Sequence, residues 1–268
     1  MPLTVRDMLD LLEEIAPAHL AEPWDNPGLQ VGSYSQVVTR IFFALDPTSN
    51  ALRGASKCRA QLLLTHHPLI FRPLTQLDIS SYPGDVIVEA IKSGISVVSA
   101  HTNLDVARGG INDILAELLD LKNVDVLKEV GEGDGTGLGR IGDLPEPSLL
   151  SGVERSVKGL FGAEKLKVVG DGDPQIRRVV VVGGSGGGLV ALASQKGADL
   201  LLTGDVSHHH ALEAKSLGIA LIDTGHFHAE KTAFGIFARR VDDMLAARGW
   251  QVRVEVDHEE ANPMREGD

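Results

Sequence analysis

The sequence predicts an α/β protein of three layers, with helices over central mixed or parallel sheets, built from a duplicated β-α-β-α-β unit. Three observations carry this. Short runs such as Leu62-Leu63-Leu64-Thr65 and Leu200-Leu201-Leu202-Thr203 have the length and composition of strands buried on both faces. Apolar residues are 43% of the 268 but aromatics only 4%, a mix suited to helices packed on parallel strands. The same order of segments also occurs twice. Arg40-Ile41-Phe42-Phe43-Ala44-Leu45 matches Arg178-Val179-Val180-Val181-Val182-Gly183, and Ala60-Gln61-Leu62-Leu63-Leu64-Thr65 matches Ala198-Asp199-Leu200-Leu201-Leu202-Thr203. Both pairs are offset by 138 positions (178 against 40, 203 against 65).

The elements follow in order. Met8 to Ala16 reads as an amphipathic helix, with Met8, Leu11, Leu12 and Ile15 on one face. Residues 22–33 are rich in turn formers. A strand (Ile41 to Leu45), a helix (about Ser49 to Arg59) and a strand (Gln61 to Thr65) come next. A helix (Pro83 to Ser93) and a strand (Ile95 to Ala100) complete the first copy. Residues 106–177 separate the copies. They include a glycine-rich run from Gly131 to Arg140 that reads as a mobile loop, a helix near Ser151 to Phe161 and a strand near Lys165 to Val169. In the second copy, Lys215-Ser216-Leu217-Gly218-Ile219-Ala220-Leu221-Ile222 parallels Lys92-Ser93-Gly94-Ile95-Ser96-Val97-Val98. The polar stretch from Asp257 to Asp268 is expected to fray.

Charge and cysteine usage narrow the function. A net charge of -12 argues against non-specific binding to nucleic acid or to an anionic membrane. No apolar run approaches the ~20 residues of a membrane-spanning helix. Cys58 is the one cysteine, so no disulfide can form within the chain, and a reducing cytoplasmic setting is expected. The N-terminal residues lack the layout of a signal peptide. Cys58 reads as a small packing residue, and there is no Gly-x-Ser-x-Gly elbow, so covalent nucleophilic catalysis is poorly supported.

Four apolar runs end in residues that can ligate metal. Leu62–Thr65 runs into His66-His67, and Val97–Ala100 into His101-Thr102-Asn103-Leu104-Asp105. Leu200–Thr203 runs into Gly204-Asp205, and Leu221–Gly225 into His226, with Glu230 four residues on. Carboxyl ends of parallel strands are where open α/β sheets bind ligands. Imidazoles and carboxylates without a thiolate suit Zn, Mn, Fe, Co or Ni, and a carboxylate can bridge two ions. A spacing of four lets His226 and Glu230 face one point from a helical turn. Only the first copy keeps the double histidine, so one centre fed by both copies is expected rather than two equal ones. His208-His209-His210 is either a supporting or substrate-contacting group or a polar helix start. The Gly183–Gly188 run could cradle an anion. It lacks the ending of a P-loop, and its dinucleotide spacing fails at Leu189, so a tight turn is the favoured reading. Trp24 either lines a pocket or plugs a core.

These residues together resemble the Nif-three-like family of dinuclear metal-centre proteins, whose members are often labelled GTP cyclohydrolase 1 type 2 homologues. The resemblance spans nearly the whole chain. It rests on Ala21-Glu22-Pro23-Trp24-Asp25-Asn26-Pro27-Gly28-Leu29-Gln30-Val31-Gly32, Thr65-His66-His67-Pro68 and His101-Thr102-Asn103-Leu104-Asp105. It continues through Gly137-Leu138-Gly139-Arg140-Ile141-Gly142, Gly183-Gly184-Ser185-Gly186, Thr203-Gly204-Asp205 and Gly225-His226 with Glu230. It implies two intertwined α/β lobes, here residues 1–125 plus 215–268, carrying most metal ligands, and 126–214. It also implies a toroidal homohexamer and two divalent metal ions per chain held by His66, His67, Asp105, His226 and Glu230, with His101 as a further contributor. The chain departs from the family pattern at Ala229, where a threonine is usual, and at His228, an additional histidine. It also lacks the large central insertion of longer members.

The activity the resemblance implies is that of a metal-dependent hydrolase, acting through a metal-activated water on a small-molecule or nucleotide substrate. For the family label, the target is C8 of the guanine ring of GTP. His101, His208 and His209 are the candidates to move the proton. The alternative is a non-catalytic metal-binding adaptor, metallochaperone or assembly scaffold. Both need the five ligands; only the enzyme needs an open coordination position and a substrate cleft.

Overall fold

The computed structural model describes residues 2–130 and 135–264. Strand β1 (Leu3–Thr4) leads into helix α1 (Val5–Ile15). Thr4 caps that helix. Its hydroxyl accepts from the Asp7 N–H, and the Asp7 carboxylate accepts from the Thr4 N–H at 2.8 Å. Val5, Met8, Leu11 and Leu12 are the buried side of α1. The stretch read as turns contains a strand, β2 (Gly28–Val31), and β3 (Val37–Val38) follows. The first copy is β4 (Arg40–Ala44), α2 (Ser49–Lys57), β5 (Leu62–Thr65), α3 (Gly84–Ser93) and β6 (Ser96–Ser99).

Between the copies lie α4 (Thr102–Val106), α5 (Ile111–Leu118), β7 (Lys122–Glu129), β8 (Gly137–Leu149), α6 (Leu150–Phe161) and β9 (Lys167–Val169). Residues 131–134 of the glycine-rich run lie outside the described residues, and Gly137–Arg140, expected to belong to a mobile loop, instead open strand β8. The second copy is β10 (Gln175–Ser185), α7 (Val190–Gln195), β11 (Leu200–Gly204), α8 (His208–Leu217) and β12 (Ala220–Asp223). Helix α9 (His226–Ala247) and strand β13 (Arg253–Val256) follow. Among the described residues, no helix is long and apolar enough to cross a membrane.

The chain divides into two compact units, Met1–Leu104 with Phe234–Asp268, and Asp105–Ala233. Sequence analysis placed the divisions near 125 and 215. Strand pairing explains the difference, because β7 and β12 both hydrogen-bond into the second unit's sheet.

The first unit is built on a five-stranded sheet of order β13-β4-β5-β6-β2. Its pairs are parallel except for β2, which runs antiparallel to β6. On one face Phe42, Leu63 and Val97 pack against Leu52 and Ala55 of α2 and Val86, Ile87 and Ala90 of α3. On the other, Phe43 meets Phe234 and Phe237 of α9, with ring centroids 5.6 and 6.5 Å away. Leu62, Leu63 and Leu64 are therefore buried in succession, as expected for a strand covered on both sides.

The second unit has a six-stranded mixed sheet of order β7-β8-β10-β11-β12-β9. Val180, Val182, Leu201 and Leu221 pack under Val190, Ala193 and Ala214 of α7 and α8. Helix α5 lies over β8 and β10. Buried Arg140 ties it there, giving Asp113 two hydrogen bonds (2.5 and 2.9 Å) and the Gly137 carbonyl a third (2.7 Å).

The duplication holds at the level of register. Ile41 pairs with Leu62 in the first sheet, and Val179 with Leu200 in the second; each residue and its counterpart are 138 apart (41 and 179, 62 and 200). The C-terminal stretch, expected to fray, is tied to the residues at the end of β4 at Asp257 and Glu260. The Asp257 N–H donates to the Phe43 carbonyl at 2.7 Å, and the Glu260 carboxylate accepts from the Leu45 and Asp46 N–H groups at 2.9 and 2.7 Å.

Candidate metal centre

In the first unit, three neighbouring parallel strands deliver the polar residues at their carboxyl ends. Asp46 lies just beyond β4, His66 and His67 just beyond β5, and His101 just beyond β6. One ring nitrogen each of His66, His67 and His101 lies within 4.8 Å of the others. The opposite nitrogens are held. Nδ1 of His66 meets the Ala100 carbonyl at 2.8 Å, Nδ1 of His67 meets Asp46 at 2.7 Å, and Nδ1 of His101 meets Asp25 at 2.7 Å. A carbonyl or an ionised carboxylate can only accept, so each Nδ1 carries the hydrogen, and in the neutral ring Nε2 is left with the lone pair.

Asp25 is built for this role. Burial pushes its pKa up, but hydrogen bonds from His101 and Thr102, the charge of His101 and the Asn26 N–H outweigh that and bring it down to about 2. Thr102 gives it both an N–H (3.1 Å) and a hydroxyl (2.5 Å). Trp24, beside it, is 55% exposed, which rules out the core plug. Its ring lies 6.0 Å from that of His101 and 5.5 Å from that of Phe71.

In the second unit, Gly204-Asp205 occupies the place that His66-His67 holds in the first copy. Asp205 takes Nδ1 of His226 at 2.7 Å. His226 opens α9, and its Nε2 lies 2.9 Å from Glu230 one turn on. Asp105, on α4, brings a carboxylate oxygen within 4.8 Å of one from Glu230, and both residues are buried. Buried Asn112 supports this set. Its amide donates to the Asp105 carbonyl at 2.9 Å, and its oxygen accepts the Gly183 N–H at 2.9 Å. Gly184, at φ +60, leaves room for Glu230: a Cβ there would stand 2.5 Å from Oε1.

The glycine run carries the chain from the end of β10 into a 3-10 turn at Gly187–Leu189, and two of its amides are already engaged. The Gly183 and Gly186 N–H groups are taken by Asn112 and by the Thr203 hydroxyl (2.8 Å). His210 caps α8, its Nδ1 accepting the Ser207 N–H at 3.4 Å, and it leaves no room for a Cβ on Gly187. His208 and His209 are exposed on the first turn of α8, their rings 5.9 Å apart.

The sequence pattern of the Duf34/NIF3 family (NGG1p interacting factor 3) matches residues 3–263. The chain belongs to this family. Among NIF3 relatives, a GTP cyclohydrolase 1 type 2 homolog of Clostridium perfringens is 34% identical over 228 residues, covering 85% of this chain and 87% of the relative. One from Streptomyces coelicolor is 35% identical over 262 residues, covering 96% and 92%. In structure, the Staphylococcus aureus hypothetical protein SA1388 superposes with a TM-score of 0.94 at 28% identity, covering 99% of this chain and all of that one. A Bacillus cereus protein related to NIF3 gives 0.92 at 26% identity, covering both chains completely.

Within this NIF3 chain, sequence reasoning noted Asp205 at a strand end and Asp25 beside Trp24, but not Asp46, and it did not foresee that these three carboxylates hold His226, His101 and His67. Asp205 carried one signal, since it replaces a histidine of the first copy. Asp46 carried none. The donor set fits divalent metal. Metal-bound histidine typically gives its second N–H to a carboxylate or carbonyl, and all four rings here do so.

Proposed function

We propose that His66, His67, Asp105, His226 and Glu230 hold two divalent ions (Zn, Mn, Fe, Co or Ni) and that the chain is a metal-dependent hydrolase. The observation that carries this is the set of four imidazoles with Nδ1 engaged, because it fixes where four Nε2 atoms stand before any ion arrives. The names of the curated relatives make C8 of the guanine ring in GTP the first electrophile to test.

Bound ions would supply Lewis acidity and a water of lowered pKa. The residues do the rest. Asp25, Asp46 and Asp205 keep the rings in one tautomer. Buried Asp105 and Glu230 contribute negative charge that a cation offsets. His101, locked on Asp25, presents Nε2 to a ligand or to a proton. His208 and His209, exposed at the head of α8, are the further candidates for proton transfer.

We also propose a homohexamer working in a reducing cytoplasm. Phe71, Leu74, Leu77, Ile79 and Tyr82, between β5 and α3, are all exposed, and apolar surface of this kind is commonly covered by a partner.

The test is elemental analysis after reconstitution with each of the five metals, followed by a turnover screen starting with GTP, with His66→Ala as the blank. Close to two ions per chain, with turnover absent from the blank, is the expected result. Less than half an ion per chain rejects the metal reading. Two ions without turnover on any nucleotide leaves the adaptor or chaperone class in place of the hydrolase.

A further inference from the structure

The C-terminal segment places a carboxylate behind the histidine cluster of the first unit. Glu260 Oε2 accepts the Leu45 N–H at 2.9 Å, and Oε1 accepts the Asp46 N–H at 2.7 Å. These are the first two amides beyond β4. The same dipeptide meets His67 twice. The His67 N–H donates to the Leu45 carbonyl at 3.0 Å, and the His67 ring gives Nδ1 to Asp46 at 2.7 Å. Leu45-Asp46 therefore links Glu260 to His67 through both backbone and side chain.

The connection is long in sequence and short in space. Strand β13 runs parallel to β4, with Val256 opposite Phe43, and this register carries Glu260 to Leu45 across 215 residues. The placement works against the carboxylate's own charge. Burial raises the Glu260 pKa, the two amides lower it, and nearby Asp46 and Asp257 raise it again.

The second copy contains a counterpart. Gly183 lies 138 residues after Leu45 (183 against 45), and its N–H is also taken by a side chain from outside the copy, that of Asn112, which in turn holds the Asp105 carbonyl. The two equivalent amides, one just beyond β4 and the other near the carboxyl end of β10, are each clamped from outside, and in each copy the clamp leads to a residue assigned above as a metal ligand.

We propose that Glu260 is a positioning residue for His67, acting through Asp46, so that the C-terminal segment sets the affinity of the ion bound by His67. This rests on the metal-binding reading.

The test uses full-length protein loaded with Co(II), comparing wild type, Glu260→Ala, Glu260→Gln, Asp46→Ala and the Glu260→Ala/Asp46→Ala double variant. Chelator titration of Glu260→Ala is expected to show one of two ions weakened by about 10- to 100-fold, with an altered visible spectrum for that ion. Glu260→Gln keeps one acceptor oxygen and should recover part of the loss. The double variant should be little worse than Asp46→Ala alone, because the two act in series. Two ions bound at wild-type affinity with an unchanged spectrum in Glu260→Ala would reduce Glu260 to a structural tie and overturn the proposal. A second readout needs no metal. Nitrogen-15 NMR of histidine-labelled metal-free protein should show His67 losing its single Nδ1–H tautomer in both Glu260 variants, and an unchanged ring overturns the proposal. If wild type itself takes up no Co(II), the metal reading fails, and the ring tautomer still decides the role of Glu260.

Discussion

Gly184 shows how one residue's lack of a side chain can make room for a ligand. Its φ of +60 is a conformation that alanine adopts only with strain, and an added Cβ would stand 2.5 Å from Glu230 Oε1. Something must move, and the Glu230 side chain is the movable partner. Gly184→Ala is therefore expected to fold but to lose at least about tenfold in metal affinity, on the scale of other losses around metal ligands. Competitive chelation measures it; wild-type affinity in a folded variant would show that Glu230 is not held where the ion needs it. Cys58 is the contrast. Burial pushes its thiol pKa up and its Sγ donates to the Ala55 carbonyl at 3.3 Å, which leaves it in the packing role its surroundings suggested.

Among the elements, α1 has the clearest local logic. Thr4 and Asp7 satisfy each other's backbone amides, and Val5, Met8, Leu11 and Leu12 supply the buried stripe. Thr4→Ala should lower stability by about 0.5–2 kcal/mol at neutral pH. The pH dependence has a definite sign. The hydroxyl and the N–H of Thr4 hold the Asp7 carboxyl below its ordinary value of 3.8. A depressed carboxylate stabilises the fold above that value, and the contribution disappears as pH falls through the folded-state pKa. The gap between wild type and Thr4→Ala in urea unfolding should therefore narrow as pH falls below the ordinary value of 3.8 and through the lower folded-state pKa; a constant gap would show that the Asp7 half of the box contributes nothing.

For the whole molecule, the open question is assembly. The exposed apolar run from Phe71 to Tyr82 lies in a chain of net charge -12, where six copies repel one another unless specific surface is buried. Static light scattering near physiological salt is expected to give the mass of six chains. Replacing Leu77 and Ile79 with aspartate should lower that mass without unfolding the subunit, if the run is covered by a second copy. A wild-type mass of one or two chains across a wide concentration range would refute the hexamer.

Much of this was legible in the chain itself. Periodicity and apolar runs marked both copies, and an offset of 138 between two stretches of sequence became the same strand register in two sheets. Patterns of this kind are local, and local patterning is what a linear sequence displays. The separating region was read less completely. β7 and β8 were missed because Lys122–Glu129 is largely exposed and Gly137–Leu149 is broken by glycine and proline, so neither shows the apolar run of a central strand. The site divides the same way. His66, His67, His101 and His226 announced themselves at strand ends. Which acid holds which ring was not legible, since Asp46 and Asp205 each stand 21 residues from the ring they hold, and Asp25 stands 76 away. No spacing rule joins such positions. A carboxylate in a loop is indistinguishable in sequence from any solvated acid, and only the register of packed strands decides which ring it meets.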